Sequence, residues 1–413
     1  MFWPRTSSVT ALALAFAIRL GLAADWPQFN GPNRDNKSAE TGLLKEWPEG
    51  GPKLLWTARS IGHGFAAVAV AHSLVYVTGN VGDDTLITAL RLDGTPAWTA
   101  KNGPAYKREH PGTRSTPTLD AGRLFHLNAD GDLACLDATS GKPLWALNIL
   151  QKFNGRNIRW GLAESLLVDG DRVIAVPGGE EISIVALNKL TGETLWTCKG
   201  IGELPGYSSP IVVEHQGLRQ IVALMAKAIV GVNADTGELL WKVAHETPYD
   251  ESIFTPLFHD GCIYFATAHA RGSRLLKLNV EGGKCSVELA WSTDKLDSHH
   301  GGVILHDGHL YGFCHGNYKA RWDCLAWKTG KLMHSEPTGV GGSVTYAEGM
   351  IYAMDERGRV MLIKPSPAER RVVSEFQLPK GGPGPFWAHP VVSGGRLYLR
   401  HSDCLTAYDI QAR

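Results

Sequence analysis

The chain has 413 residues, 44% of them hydrophobic and 20% charged, and 41 Lys+Arg balance 41 Asp+Glu to a formal net charge of zero. This composition excludes a disordered chain, and the absence of a basic excess argues against a nucleic-acid binder. The 47 Gly and 13 Trp suit a turn-rich, all-β protein.

The N-terminus reads MFWPRTSSVTALALAFAIRLGLAAD. Arg5 precedes an apolar stretch from Val9 to Ile18, and Gly21-Leu22-Ala23 offers a small-residue cleavage site; Arg19 is the one departure from pattern. Residues 1–24 therefore read as a secretory signal peptide. Their apolar run is too short for a permanent membrane helix, and no Cys near the cleavage site marks a lipid anchor. The expectation is an exported protein, periplasmic or extracellular, with no transmembrane segment. Residues 25–51 then read as an N-terminal extension packing on the main domain, residues 52–413.

From there one pattern recurs: an apolar strand, Asn or Asp, a turn with Gly, then a short strand ending in Trp. It appears as PKLLW at Trp56, ALRLDGTPAW at Trp98, ACLDATSGKPLW at Trp145, VALNKLTGETLW at Trp196 and VGVNADTGELLW at Trp241. A looser copy ends at Trp291, Met333 takes the position in LAWKTGKLMH, and Phe376 falls near it in IKPSPAERRVVSEF. Successive positions are 42 to 51 residues apart. Before each unit lies another alternating strand pair, as in AAVAVAHSLVYVTG and PLFHDGCIYFATA, which reads as an antiparallel hairpin. Four strands in about 45 residues make one propeller blade. A single such sheet cannot bury both faces, so the blades must stack around an axis. The chain ends on CLTAYDIQAR, a third strand with no turn-and-Trp strand after it, while PKLLWTA near the start is an orphan outer strand. The predicted fold is an all-β, eight-bladed propeller of four-stranded antiparallel blades, its last blade closed by the N-terminal strand. The recurring Trp residues read as fillers between blades, and the Gly turns as hairpins needing positive φ.

The seven Cys are dispersed, without CxxC or CxxCH, so structural zinc and c-type haem find no support. Cys314 and Cys324 flank one hairpin and are open to pairing.

The AxDxxTGxxxW units, as in LDATSGKPLW and VNADTGELLW, resemble the pyrroloquinoline-quinone (PQQ) type propeller repeat, shared by quinoprotein alcohol dehydrogenases and the outer-membrane assembly protein BamB. The resemblance covers nearly the whole mature chain. The opening DWPQFNGPNRDNKSAETGLLKEWPEGGPKLLW is similar to that of exported PQQ-like propellers of planctomycete-type bacteria. The repeat is architectural and transfers no activity. The vicinal disulfide that the resemblance implies for a quinoprotein has no counterpart, because no two Cys are adjacent. The lipobox Cys implied by BamB is absent too. With the repeat given over to architecture, the residues free to carry chemistry lie in the loops.

Loops joining the outer strand of one blade to the inner strand of the next converge on one propeller face. They supply His63, Arg114, Arg156, Arg159, Trp160, Glu164, Tyr207, Tyr249, His299, His300, Trp387 and His389 as candidate ligand or partner contacts, with Arg108, His110, Asp250 and Glu251 nearby in sequence. Arg beside aromatic rings suits an anionic, planar or sugar-like ligand. His63, His299, His300 and His389 fall on the same face, but no local ligand spacing supports a metal and none is assigned. No catalytic set is recognised. The reading is a monomeric binding or scaffold protein whose partner is an envelope or extracellular protein, or a glycan, with no cofactor firmly implied. The alternative is a quinoprotein oxidoreductase taking PQQ with calcium: Arg114, Arg156 and Arg159 on the quinone carboxylates, Trp160 or Trp387 on its rings, and Glu164 or Asp250 as base. A third reading pairs Glu164 with Asp250 or Glu251 as glycosidase carboxylates.

Overall fold

The computed structural model describes residues 25–315 and 320–412; the expected signal peptide lies outside them. Eight antiparallel sheets are arranged as blades, each running from an inner to an outer strand. Blade 1 is Ala69–Ala71, Leu74–Val81, Asp84–Arg91 and Pro96–Pro104; blade 2 runs from Thr118–Asp120 to Pro143–Asn148; blade 3 from Leu167–Asp169 to Thr194–Lys199. Blade 4 runs from Ile211–His215 to Leu239–Ala244, blade 5 from Leu257–His259 to Lys284–Thr293, blade 6 from Ile304–His306 to Leu332–Pro337 and blade 7 from Gly342–Ala347 to Arg371–Gln377. Blade 8 takes Val391–Ser393, Arg396–His401 and Cys404–Asp409, and its outer strand is Lys53–Arg59 from the other end of the chain. That strand pairs antiparallel with Cys404–Asp409, Lys53 opposite Asp409 and Arg59 opposite Cys404. The ring is thus closed as the orphan strand required.

The cores lie between blades. Phe125 and Cys135 of blade 2, for example, share one buried cluster with Val173, Val185 and Leu187 of blade 3. The repeat motif explains itself here. Each motif Trp leans across to the next blade, and its ring covers the Gly of that blade's outer hairpin turn. A Cβ at Gly141 would meet the Trp98 ring at 2.5 Å, at Gly192 the Trp145 ring at 2.8 Å, and at Gly237 the Trp196 ring at 2.6 Å. The indole N–H then donates to a carbonyl of the same neighbour: Trp98 to Ala138 at 3.1 Å, Trp145 to Lys189 at 3.1 Å, Trp196 to Ala234 at 3.1 Å and Trp291 to Trp327 at 2.8 Å. Trp241 departs from this, since blade 5 has a lengthened outer hairpin; its N–H turns instead to Gln220 Oε1 at 2.7 Å.

One assignment of the repeat position needs correction. In blade 6 the residue opposite Cys324 is His334, and Met333 sits in the bulge beside it, half exposed. In blade 7 the register position is Ser374, opposite Leu362, and Phe376 falls near it as expected: two residues on, its ring covers Gly51 ahead of blade 8's outer strand, where a Cβ would meet it at 2.6 Å. At Ser374 itself a second ring comes from Trp47, whose backbone N–H donates to Ser374 Oγ at 2.8 Å and whose indole packs on Tyr352 at 6.0 Å and on Phe376 at 5.5 Å.

The segment from Trp26 to Glu40 lies on the propeller axis rather than against its outside. Trp26 bridges to Val70 of blade 1, Leu119 of blade 2 donates to Pro27 O at 2.8 Å, and Lys37–Ser38 pairs in parallel with Tyr346–Ala347 of blade 7. Ser38 Oγ donates to Val392 O of blade 8 at 2.8 Å. Arg34, fully buried, donates to Ser165 O at 3.0 Å, to Pro210 O at 2.9 Å and to Leu166 O, tying the segment to the entries of blades 3 and 4. A strand that reaches all these inner edges must run through the centre. It re-emerges on the face opposite the inter-blade loops, where Glu40 accepts from the Gly394 and Gly395 amides at the first turn of blade 8.

The seven cysteines are all free, including Cys314 and Cys324, and six of them are buried. Among the described residues no helix is long and apolar enough to cross a membrane.

Candidate functional site

Above the axial segment, on the loop face, lies a cavity of about 330 Å³. Its floor is Phe29 and Asn30; its walls include Phe65, Trp160, Tyr207, Phe254 and Trp387. Rigid blades hold these loops in place, which is how propellers and similar scaffolds carry sites on irregular backbone. The Trp387 ring is wedged between Phe65 at 4.9 Å, His110 at 5.3 Å and His300 at 5.5 Å, and its N–H donates to Glu356 Oε1 at 3.0 Å. Trp160 faces Tyr207 at 5.7 Å across the cavity wall. Its backbone N–H donates to the Tyr207 hydroxyl at 3.2 Å, and its indole N–H donates to Glu109 Oε2 at 2.7 Å.

Of the twelve candidates from sequence, Arg114, Trp160, Tyr207, His299, His300, Trp387 and His389 line this cavity. The other five do not. His63 sits just outside it, its Nδ1 2.7 Å from Ser402 Oγ. Arg156 is exposed and paired with Glu180 at 3.5 Å. Arg159 stacks on the outer side of Trp160 at 4.8 Å and pairs with Glu109 at 3.3 Å. Tyr249 is 66% exposed on the rim, edge-on to Trp160. Glu164 is buried below the loops, where it accepts from the Val176 amide at 3.0 Å. Burial pushes its carboxyl up to about 8, against opposing help from the Val176 amide and Arg34. It is a structural acid, so neither the proposed base role nor the Glu164-centred carboxylate pair is assembled.

The electrostatics of the cavity favour neutral imidazoles. Burial lowers His389 to about 4, and its ring is fixed by His300 O at 2.7 Å and Asn36 Oδ1 at 3.2 Å. Burial, with His299 beside it, holds His300 well below the usual range. Burial also lowers Arg114, which lies over Tyr106 at 4.5 Å and donates to His110 O at 2.7 Å within its own loop. Three buried polar atoms of the lining have no hydrogen-bond partner: Asn30 Oδ1, Thr255 Oγ1 and His300 Nε2. Unpaired buried polar atoms are costly, and here they gather at one concave surface.

Glu251, His269 and His315, absent from the twelve, complete the wall beside His299. Glu251 comes from the loop between blades 4 and 5, while His269 and His315 follow the second strands of blades 5 and 6. Those second-to-third strand turns open onto the same face as the inter-blade loops, so the inter-blade loops alone do not account for every residue at the cavity. The parallel placement of His in FATAHARG and GFCHG was the available clue.

The sequence comparisons agree with this architecture. The family model described as outer membrane protein assembly factor BamB matches residues 83–323, more than half of the chain. The chain belongs to the BamB-type PQQ propeller family. BamB of Moranella endobia (strain PCIT) is 24% identical over 276 residues, covering 63% of this chain and 66% of that protein. A quinoprotein ethanol dehydrogenase of Pseudomonas aeruginosa is 28% identical over 159 residues, 36% of this chain and 25% of that enzyme. The chain thus spans under two thirds of the length of these curated relatives. Among solved structures, BamB from Moraxella catarrhalis superposes with a TM-score of 0.62 at 14% identity, covering 87% of this chain and 98% of that one. A europium-containing methanol dehydrogenase superposes with a TM-score of 0.68 at 12% identity, covering 92% and 90%. At such identities the likeness is one of fold.

The PQQ set expected from that likeness does not fit the residues present. Arg156 and Arg159 lie outside the cavity, which leaves Arg114 as the single guanidinium in its lining. Glu251, the one carboxylate of the lining, is already engaged by imidazoles. Calcium takes six to eight oxygen ligands, and this wall is built of ring nitrogens and aromatic carbon.

Proposed function

We propose that this PQQ-type propeller is an exported binding protein whose loop face captures a flat, largely apolar group with a hydrogen-bonding edge, carried by an envelope or extracellular protein. The observation behind this is the axial cavity: aromatic walls, a floor supplied by the chain's own N-terminal segment, and unpaired polar atoms at its surface. Aromatic walls gain from apolar and ring contacts, and the unpaired Asn30, Thr255 and His300 atoms reward a ligand that brings complementary donors and acceptors. A segment filling the axis leaves ligands one way in, from the loop face. Export rests on the leader pattern of residues 1–24, and an envelope setting accords with the relatives' description as outer membrane assembly factors.

The test titrates the purified chain with indole and with short Trp- or Tyr-bearing peptides, followed by intrinsic fluorescence and calorimetry. Saturable binding, weakened at least tenfold by Trp387→Ala or Trp160→Ala, is the expected result. Tighter binding of oligosaccharides than of peptides would replace the protein partner by a glycan. Dye-linked oxidation of an alcohol in the presence of PQQ and calcium would overturn the reading in favour of an oxidoreductase.

A further inference from the structure

We propose that Glu251, His269 and His299 form a binding site for a divalent transition-metal ion of the zinc type in the wall of the axial cavity. The inference does not depend on the ligand reading above, since it concerns the wall itself. Three separate segments deliver the three side chains. Their ligand atoms lie within 4.8 Å of one another. Glu251 divides its two oxygens between them, Oε2 at 2.7 Å from His269 Nε2 and Oε1 at 3.3 Å from His299 Nε2. Ligands about 2.0–2.1 Å from a tetrahedral zinc stand roughly 3.3 Å apart, so small rotations of these side chains would seat an ion.

The chemistry of the donors selects the ion. Two imidazole nitrogens with one carboxylate suit zinc, cobalt, nickel or iron(II), whereas calcium and magnesium prefer oxygen shells. All three side chains are largely withdrawn from solvent, with 14–18% exposure. A charged carboxylate in such a place calls for a cation or strong donors.

The surroundings behave like a support shell. His299 Nδ1 faces His300 Nδ1 at 3.5 Å, which directs the Nε2 of His299 at the carboxylate. That Nε2 is buried, and the Glu251 oxygen 3.3 Å away is its one close polar neighbour among the described residues. A second imidazole fixed through its far nitrogen is how metal-bound histidines are oriented. The His315 ring packs on His299 at 4.3 Å and on His269 at 5.4 Å, limiting their rotation. His269 and its neighbour Ala270 take φ of 63° and 60°, a strained pairing for residues with side chains, of the sort retained where a side chain must be aimed. Three protein ligands leave a coordination position open on the cavity side, as in zinc sites that bind an exchangeable ligand.

The experiment loads metal-stripped, purified protein with Zn²⁺ by calorimetry and with Co²⁺ by visible absorption. One equivalent of each should bind, Co²⁺ should show visible bands of a low-coordinate nitrogen and oxygen site, and Zn²⁺ should bleach them. His299→Ala and Glu251→Gln should each lower affinity at least tenfold, while His309→Ala, on the opposite face, should leave it unchanged. His269→Gln gives a second removal at a surface turn, and circular dichroism establishes that each variant is folded. Absence of a stoichiometric site, or equal binding by the parent and all the cluster variants, would mean a hydrogen-bonded His–Glu–His cluster only and would sink the proposal.

Discussion

The indole of Trp98 lies flat over Gly141 of the next blade, so close that a methyl group there would meet a ring carbon at 2.5 Å. Gly141 also takes φ of 72°, in the region that disfavours any side chain. Both terms act on Gly141→Ala, which should lower stability by about 1–3 kcal/mol through overpacking. Gly122→Ala provides the comparison, because its turn is also left-handed, with φ of 76°, but has open space. Thermal unfolding of the pair separates the two terms; equal losses would show that the ring contact contributes nothing.

Arg34 should hold the axial segment in place. Its guanidinium satisfies three buried carbonyls from blades 3 and 4. Arg34→Met keeps the stem and removes the donors, leaving those oxygens unpaired at about 1–3 kcal/mol apiece before relaxation. The expected result is a lower unfolding midpoint together with faster proteolytic cleavage between residues 26 and 40. Unchanged protection of that segment would mean that strand pairing at Lys37–Ser38 suffices.

Glu164 sets a pH dependence. Its carboxyl, ordinarily near 4.5, is raised to about 8 by burial. The folded state therefore binds its proton more tightly than the unfolded state. The sign follows: the contribution is fully present below pH 4.5, falls as pH rises, and levels off once the pH has passed about 8. Glu164→Gln keeps an acceptor for the Val176 amide and carries no charge. It should flatten stability between pH 5 and pH 8, measured by denaturant midpoints; a slope equal to the parent's would contradict the assignment.

Trp47 fills the place that the repeat leaves to Ser374. Trp47→Ala should cost about 3–5 kcal/mol, the range for removing a buried Trp, with the loss expressed as weaker closure between blades 7 and 8. Hydrogen exchange at Arg371–Gln377 and Lys53–Arg59 would report it, and protection lost evenly around the ring would speak against a local role.

Much of the architecture was legible because it is written in the repeat. Short alternating strands, positive-φ turns and a Trp four residues after the turn Gly are local features, and their physical reasons are local too. The misplacement of Met333 shows the limit of reading by residue type: counting four from Gly330 leads to His334, which the strand register places opposite Cys324. The chain ends were informative because an unpaired edge strand at one end matches an incomplete blade at the other.

The site was legible only in part. Sequence order identifies which loops share a face, and that gathered Trp160, Tyr207, His299, His300, Trp387 and His389 at one cavity. It does not reveal how far a loop residue projects, so Arg156 and Arg159 went to solvent and Glu164 went inward. Nor did it show that Trp26 to Glu40 enters the axis, or that Glu251, His269 and His299 converge from three segments. The sequence by itself determined the blade, its number and its closure, since these follow from hydrophobic period, turn chemistry and unpaired strands. Only the tertiary structure decided the cavity and the histidine–carboxylate cluster, because their distances are set by the radius of the closed ring and by what fills its centre.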